Sequence, residues 1–80
     1  MEIKILSSGC ANCIGLEKNI LEALKIMKID ATIIKIENAE DILKHGVSMT
    51  PALVVNDKVR SVGKVLTHEE IREILENEKV

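Results

Sequence analysis

Residues 7–13, Ser-Ser-Gly-Cys-Ala-Asn-Cys, contain both cysteines of the 80-residue chain. An alternation of apolar and polar residues typical of a strand precedes them, and an apolar repeat of helical period follows from Cys13 onward. The cysteines therefore stand where a strand leads into a helix. Two residues between cysteines is a spacing that serves either a reversible disulfide or a pair of metal ligands.

The position of the pair at the start of a helix favours a redox role. Cys10 is expected near the helix N-cap, where unpaired backbone N–H groups and the positive end of the helix dipole stabilise a thiolate. The thiolate is the nucleophilic form of cysteine. We therefore predict that Cys10 attacks a substrate disulfide and that Cys13, one helical turn further on, resolves the mixed disulfide.

The composition indicates one small domain, residues 1–80, with an aliphatic core. A chain of this length buries roughly 60–65% of the surface that it exposes when unfolded. Phe, Tyr and Trp are absent, so Ile, Leu and Val must fill the interior. The 13 acidic and 11 basic residues are interspersed and give a net charge of −2, without the basic stripe that nucleic-acid binding requires.

The sequence predicts a cytoplasmic protein that does not enter a membrane. Glu2 and Lys4 stand where a signal peptide would carry a basic stretch followed by an apolar run. No apolar run approaches the ~20 residues that a membrane span needs. In the cytoplasm a close cysteine pair is more often catalytic or metal-binding than structural.

Apolar periodicity and turn residues predict the element order βαβαββα. The first strand, helix and second strand form a parallel unit, and the fourth strand returns antiparallel to the third. Thr67 and Glu70 have the spacing of a capping box that starts the last helix. The expected elements are strands at 2–6, 31–36, 52–55 and 58–62, and helices at 11–28, from the cap Asn38 as far as Gly46, and after Thr67.

The sequence resembles the thioredoxin and glutaredoxin superfamily over nearly its whole length. The resemblance rests on the cysteine motif at a strand-to-helix junction, on Thr50-Pro51 before the third strand, and on Gly63 after the fourth. The chain is most similar to the small redox-active disulfide proteins. This implies an α/β, thioredoxin-like three-layer sandwich, with a four-stranded mixed sheet and helices on both faces.

The resemblance also implies roles for individual residues and a set of partners. Cys10 is the nucleophile, Cys13 the resolving cysteine, and Pro51 a cis-proline that faces them and keeps metal ions away. Thr50, Pro51 and Gly63 bind substrate, and the backbone of Thr50 pairs with an extended substrate segment. The implied partners are disulfide-containing proteins and a thioredoxin reductase-type electron donor. A monomer is expected, with no cofactor besides the redox-active disulfide.

The chain differs from better-known members of the superfamily at several positions. Gly9 stands where thioredoxins carry a tryptophan, and Ala11-Asn12 stands in place of their Gly-Pro. Thioredoxins use a buried aspartate as proton acceptor, a role that cannot be assigned here because Glu2 is the only acid in the first strand. Glutaredoxins have a tyrosine between their cysteines, and since this chain has none, glutathione is not supported as the reductant.

The alternative is a module that carries Cu(I), Zn(II) or arsenite on the thiolates of Cys10 and Cys13. Copper chaperones have a similar size and place two cysteines after a first strand. Their element order is βαββαβ, however, and they carry a methionine where this chain has Ser8. Two cysteines also fall short of the four ligands of a structural zinc site.

Overall fold

The computed structural model describes residues 1–78, which form four strands and three helices. The predicted order βαβαββα is confirmed. The elements are β1 (Glu2–Leu6), α1 (Ala11–Met27), β2 (Thr32–Ile36), α2 (Ala39–Lys44), β3 (Ala52–Val55), β4 (Lys58–Val62) and α3 (His68–Glu78).

Three predicted boundaries differ from the structure by one residue. Helix α2 ends at Lys44, and His45, predicted in its last turn, is its C-cap. Helix α1 ends at Met27, because Lys28 adopts the left-handed conformation at φ 56° and ψ 43° and caps the helix. Strand β2 begins at Thr32 and leaves out Ala31. The residues that flank a helix or strand continue its apolar pattern, so periodicity alone does not locate the last residue of the helix or the first residue of the strand.

The strands form one mixed sheet in the order β2-β1-β3-β4. Strands β1 and β2 are parallel, whereas β3 runs antiparallel to both of its neighbours, β1 and β4. Every residue of β3 is buried, as expected for a central strand that is covered on both faces.

Helices cover both faces of the sheet, as the resemblance implies. The larger core lies on the face covered by α1 and α3, where Ile3, Ile5 and Leu53 point from the two central strands. The smaller core lies on the opposite face, where Ile42 of α2 and Val47 pack against the sheet. The result is a three-layer α/β sandwich. Within residues 1–78, no polar or charged residue is buried as a whole, and the buried residues other than Cys13 and Pro51 are aliphatic.

The predicted helix caps are present. Asn38 accepts a hydrogen bond from the backbone N–H of Glu40 through its side-chain oxygen, at 2.8 Å. Thr67 and Glu70 form a reciprocal capping box, in which each backbone N–H donates to the other side chain at 3.2 Å. The bond from the Thr67 backbone, assisted by the nearby ammonium of Lys64, holds the pKa of Glu70 below its usual value.

None of the three helices in residues 1–78 combines the length and the apolar composition that a membrane span requires.

Candidate active site

The two cysteines lie at the start of α1 and are joined by a disulfide, with their Cα atoms 5.0 Å apart. Cys10 is the N-cap residue and has an extended backbone, at φ −74° and ψ 164°. Its Sγ accepts the backbone N–H of Cys13 at 3.1 Å, and its carbonyl accepts the N–H of Ile14. The sulfur of Cys10 therefore occupies the position of a capping side chain, where it meets an N–H group that the helix leaves unpaired.

The two sulfur-bearing residues differ in their exposure. Cys13 is only 1% exposed and belongs to the core, whereas Cys10 is half-buried. Cys10 is therefore the more accessible of the two residues. This difference arises from helical geometry, because residue 13 faces the sheet from the first turn of α1 whereas residue 10 precedes that turn.

The turn between β1 and α1 depends on Gly9. This residue lies at φ +81°, a conformation that L side chains rarely adopt. The Oγ of Ser7 accepts the N–H of Gly9 at 3.1 Å, and the N–H of Ser7 donates to the carbonyl of Ile36 at 2.9 Å, which fastens the turn to the end of β2. The tryptophan that thioredoxins carry at this position is therefore replaced by a residue that the local backbone requires.

The structure brings the Thr50-Pro51 segment to the cysteine turn. The peptide bond between Thr50 and Pro51 is cis, as the resemblance implies, and Pro51 is buried. The hydroxyls of Ser8 and Thr50 lie 2.9 Å apart and form a hydrogen bond between the two segments. Forty-two positions separate these residues in the chain.

Gly63 is attached to the same segment from the other side. Its backbone N–H donates to the carbonyl of Pro51 at 2.7 Å. The residue has φ +68°, and a Cβ at this position would lie 3.1 Å from Cε of Met49. Glycine at this position therefore allows the positive φ of the backbone and leaves room for the side chain of Met49.

Exposed apolar side chains lie on or beside the segments that form this site. Ile14, which directly follows Cys13, is 64% exposed, and Met49, which precedes Thr50, is 60% exposed. Val65 is exposed as well and lies near Gly15 of α1, since its Cγ1 would be 3.8 Å from a Cβ there. These three apolar side chains, Ile14, Met49 and Val65, form the apolar rim of the site.

Within residues 1–78, no group of three or more His, Cys, Asp or Glu side chains is placed to hold a metal ion. His45 lies at the C-terminal end of α2, where its Nδ1 is 2.7 Å from the carbonyl oxygen of Asp41. His68 is the first residue of α3. Both histidines have structural positions at helix ends.

Sequence reasoning missed the contact between Ser8 and Thr50. Serine in the turn gave no sign of a role, except as a difference from copper chaperones. The partner lies in a segment that only the sheet brings near, so no local pattern could have revealed the pairing.

A cysteine pair at the start of a helix, beside a cis-proline segment on a four-stranded mixed sheet, defines a thiol–disulfide oxidoreductase of the thioredoxin type. The profile of the family described as "Thioredoxin domain" matches residues 1–76, and the chain belongs to this family.

Two relatives carry the name thioredoxin. One, from Methanothermobacter thermautotrophicus, is 44% identical over 75 residues, which cover 94% of this chain and 97% of the relative. The other, from Methanocaldococcus jannaschii, is 32% identical over 75 residues, which cover 94% of this chain and 86% of the relative. The predicted family, fold class and reaction type are thereby confirmed, and the alternative of a soft-metal carrier is not favoured.

Proposed function

We propose that this thiol–disulfide oxidoreductase is a small electron carrier in which Cys10 attacks disulfides of protein substrates and Cys13 resolves the mixed disulfide. The observation that supports this division is the difference in exposure between the half-buried Cys10 and the buried Cys13. A protein substrate is too bulky to approach a sulfur inside the core, whereas it can approach the helix N-cap.

The proposed reaction has two exchange steps. The thiolate of Cys10 attacks one sulfur of the substrate disulfide, which forms a mixed disulfide and releases the other sulfur as a thiolate. The thiolate of Cys13 then attacks the Cys10 sulfur, forms the intramolecular disulfide and releases the second substrate sulfur. Two electrons have passed to the substrate, and the pair must be reduced before the next cycle.

Thr50, Pro51 and Gly63 are proposed to bind the substrate beside the cysteines. The antiparallel pairing of β1 and β3 ends at Leu6 and Ala52, next to Pro51. Within residues 1–78, the N–H and C=O groups of Thr50 form no hydrogen bond. An extended substrate segment can satisfy these two groups by pairing in the manner of a strand. The apolar rim would then contact apolar side chains next to the substrate disulfide.

The family membership supports partners of a general kind, namely disulfide-containing substrates and a reductase-type electron donor. More specifically, we propose protein substrates and a thioredoxin reductase-type donor. We also propose a single domain over residues 1–80 that acts as a cytoplasmic monomer, with the Cys10–Cys13 disulfide as its redox centre and no further cofactor.

The direct test is catalysed reduction of a protein disulfide, with dithiothreitol in the place of the unidentified reductase and insulin as the substrate. The wild-type protein is expected to accelerate insulin reduction well above the rate with dithiothreitol alone. Cys10→Ser is expected to remove the acceleration completely, because the exposed nucleophile is lost. Equal acceleration by Cys10→Ser would refute the assignment of Cys10 as the attacking residue.

A further inference from the structure

We propose that the hydrogen bond between the hydroxyls of Ser8 and Thr50 positions the substrate-binding backbone of Thr50, so that Ser8 is a positioning residue for protein substrates. The inference rests on the proposed function, in which Thr50 pairs with the substrate. It assigns a role to a side chain that lies outside the cysteine pair and outside the Thr50-Pro51 segment.

The contact continues the register of the sheet beyond its last backbone pair. Strands β1 and β3 pair so that Ile5 faces Leu53 and Leu6 faces Ala52. Continued by two residues, the same register places position 8 opposite position 50. The 2.9 Å contact between Ser8 and Thr50 thus joins the two positions that a longer ladder would have paired.

A hydrogen bond between side chains at this position leaves the backbone of Thr50 free, whereas a backbone hydrogen bond would occupy it. The contact uses only the two hydroxyls, so it fixes Thr50 without occupying its N–H or C=O group. Gly63 holds the neighbouring Pro51 carbonyl at 2.7 Å from the other side. Thr50 is therefore held by its side chain and by its neighbour, while its backbone remains open to a substrate strand.

The Ser8 side of the contact is itself anchored. The preceding Ser7 is bonded to the carbonyl of Ile36 at the end of β2 and to the N–H of Gly9. The turn that carries Ser8 also leads directly into Cys10. The hydrogen bond therefore sets the position of the substrate-pairing backbone relative to the attacking sulfur. Ordering a flexible segment before binding reduces the entropy that the substrate must overcome.

The experiment compares insulin reduction, in the presence of dithiothreitol, by the wild type, Ser8→Ala, Thr50→Val and the double variant. Loss of one neutral hydrogen bond is expected to raise the KM for insulin by about 2–10-fold, with little change in kcat. Because both substitutions break the same bond, the double variant is expected to show no larger effect than the stronger single variant. Ser8→Thr, which keeps a hydroxyl, is expected to restore most of the affinity.

Two further measurements separate positioning from other effects. Thr32→Val makes the same chemical change at the far end of the sheet and is expected to leave KM unchanged. The reduction potential of the cysteine pair in Ser8→Ala is expected to equal that of the wild type, since the substitution acts on substrate binding. An unchanged KM in Ser8→Ala, additive effects in the double variant, or a shifted potential would overturn the proposal.

Failure of the proposed role of Ser8 can be distinguished from failure of the proposed function. If Cys10 fails to form a mixed disulfide with a protein substrate, the proposed function itself is wrong. If that adduct forms and the KM of Ser8→Ala remains equal to that of the wild type, only the role of Ser8 is wrong.

Discussion

Cys13→Ser is expected to stop catalytic turnover and to leave Cys10 covalently attached to its substrate. The first exchange step needs only the half-buried Cys10, so the mixed disulfide still forms. The second step needs a thiolate one turn further along α1, and serine cannot supply it. The acceleration of insulin reduction should therefore be lost. When the reduced variant is freed of dithiothreitol and then mixed with insulin, mass spectrometry under non-reducing conditions should find one substrate chain linked to Cys10.

Cys10→Ser is the matched control for this experiment. The remaining Cys13 is 1% exposed, so it should form little or no adduct with a protein substrate. Both variants lack the disulfide to the same extent and differ only in which sulfur remains. Normal turnover by Cys13→Ser, or equal adduct formation by the two variants, would show that the roles are assigned wrongly.

Leu53→Ala is expected to cause a large loss of stability. Leu53 lies on the central strand β3, is 0% exposed and belongs to the core beneath α1 and α3. Truncation of a buried leucine costs about 2–5 kcal/mol of the free energy of unfolding. For a domain of this size each kcal/mol lowers Tm by about 4–8 °C. Thermal unfolding of the oxidised protein, followed by circular dichroism, measures the change.

Leu43→Ala provides the comparison, because the same atoms are removed from an exposed position. Leu43 belongs to α2 and is 63% exposed, and alanine is compatible with a helix. The expected change in the free energy of unfolding is within about 0.5 kcal/mol. Similar losses in the two variants would contradict the described arrangement of the core.

Much of the fold could be predicted because its signals are local. The alternation in residues 2–6 and the helical repeat after Cys13 specify which faces are apolar, and the caps at Asn38 and Thr67 specify where helices begin. Each of these patterns acts within a few residues of chain. The parallel pairing of β1 with β2 could be predicted as well, because a helix between two strands is the usual crossover connection of a parallel pair.

The site could be predicted only in part. The cysteine motif indicates its own chemistry, because the two residues are close in the chain and stand at a helix start. The contacts that hold Thr50 and Pro51 in place, from Ser8 and from Gly63, depend instead on the antiparallel register of β3 with its neighbours. A sequence does not display that register, and so the hydroxyl pair became visible only in the structure.

The difference in exposure between the cysteines also could not be predicted from the sequence. Helical periodicity predicts that Cys13 shares a face with Leu16 and Ile20, and both of these residues are fully buried. It does not predict how much of Cys10 remains accessible, because that depends on the turn at residues 7–9 and on the segment that carries Thr50.

The redox equilibrium of the Cys10–Cys13 pair is the decisive measurement for thiol–disulfide exchange by this protein. The metal-free protein is equilibrated with thiol–disulfide buffers of known potential, and its oxidation state is determined by mass spectrometry after alkylation. A reversible two-electron transition is expected between roughly −200 and −300 mV, the range spanned by known carriers. Failure to form the disulfide, with thiols that instead hold one soft metal ion tightly, would contradict the assignment as a thiol–disulfide oxidoreductase.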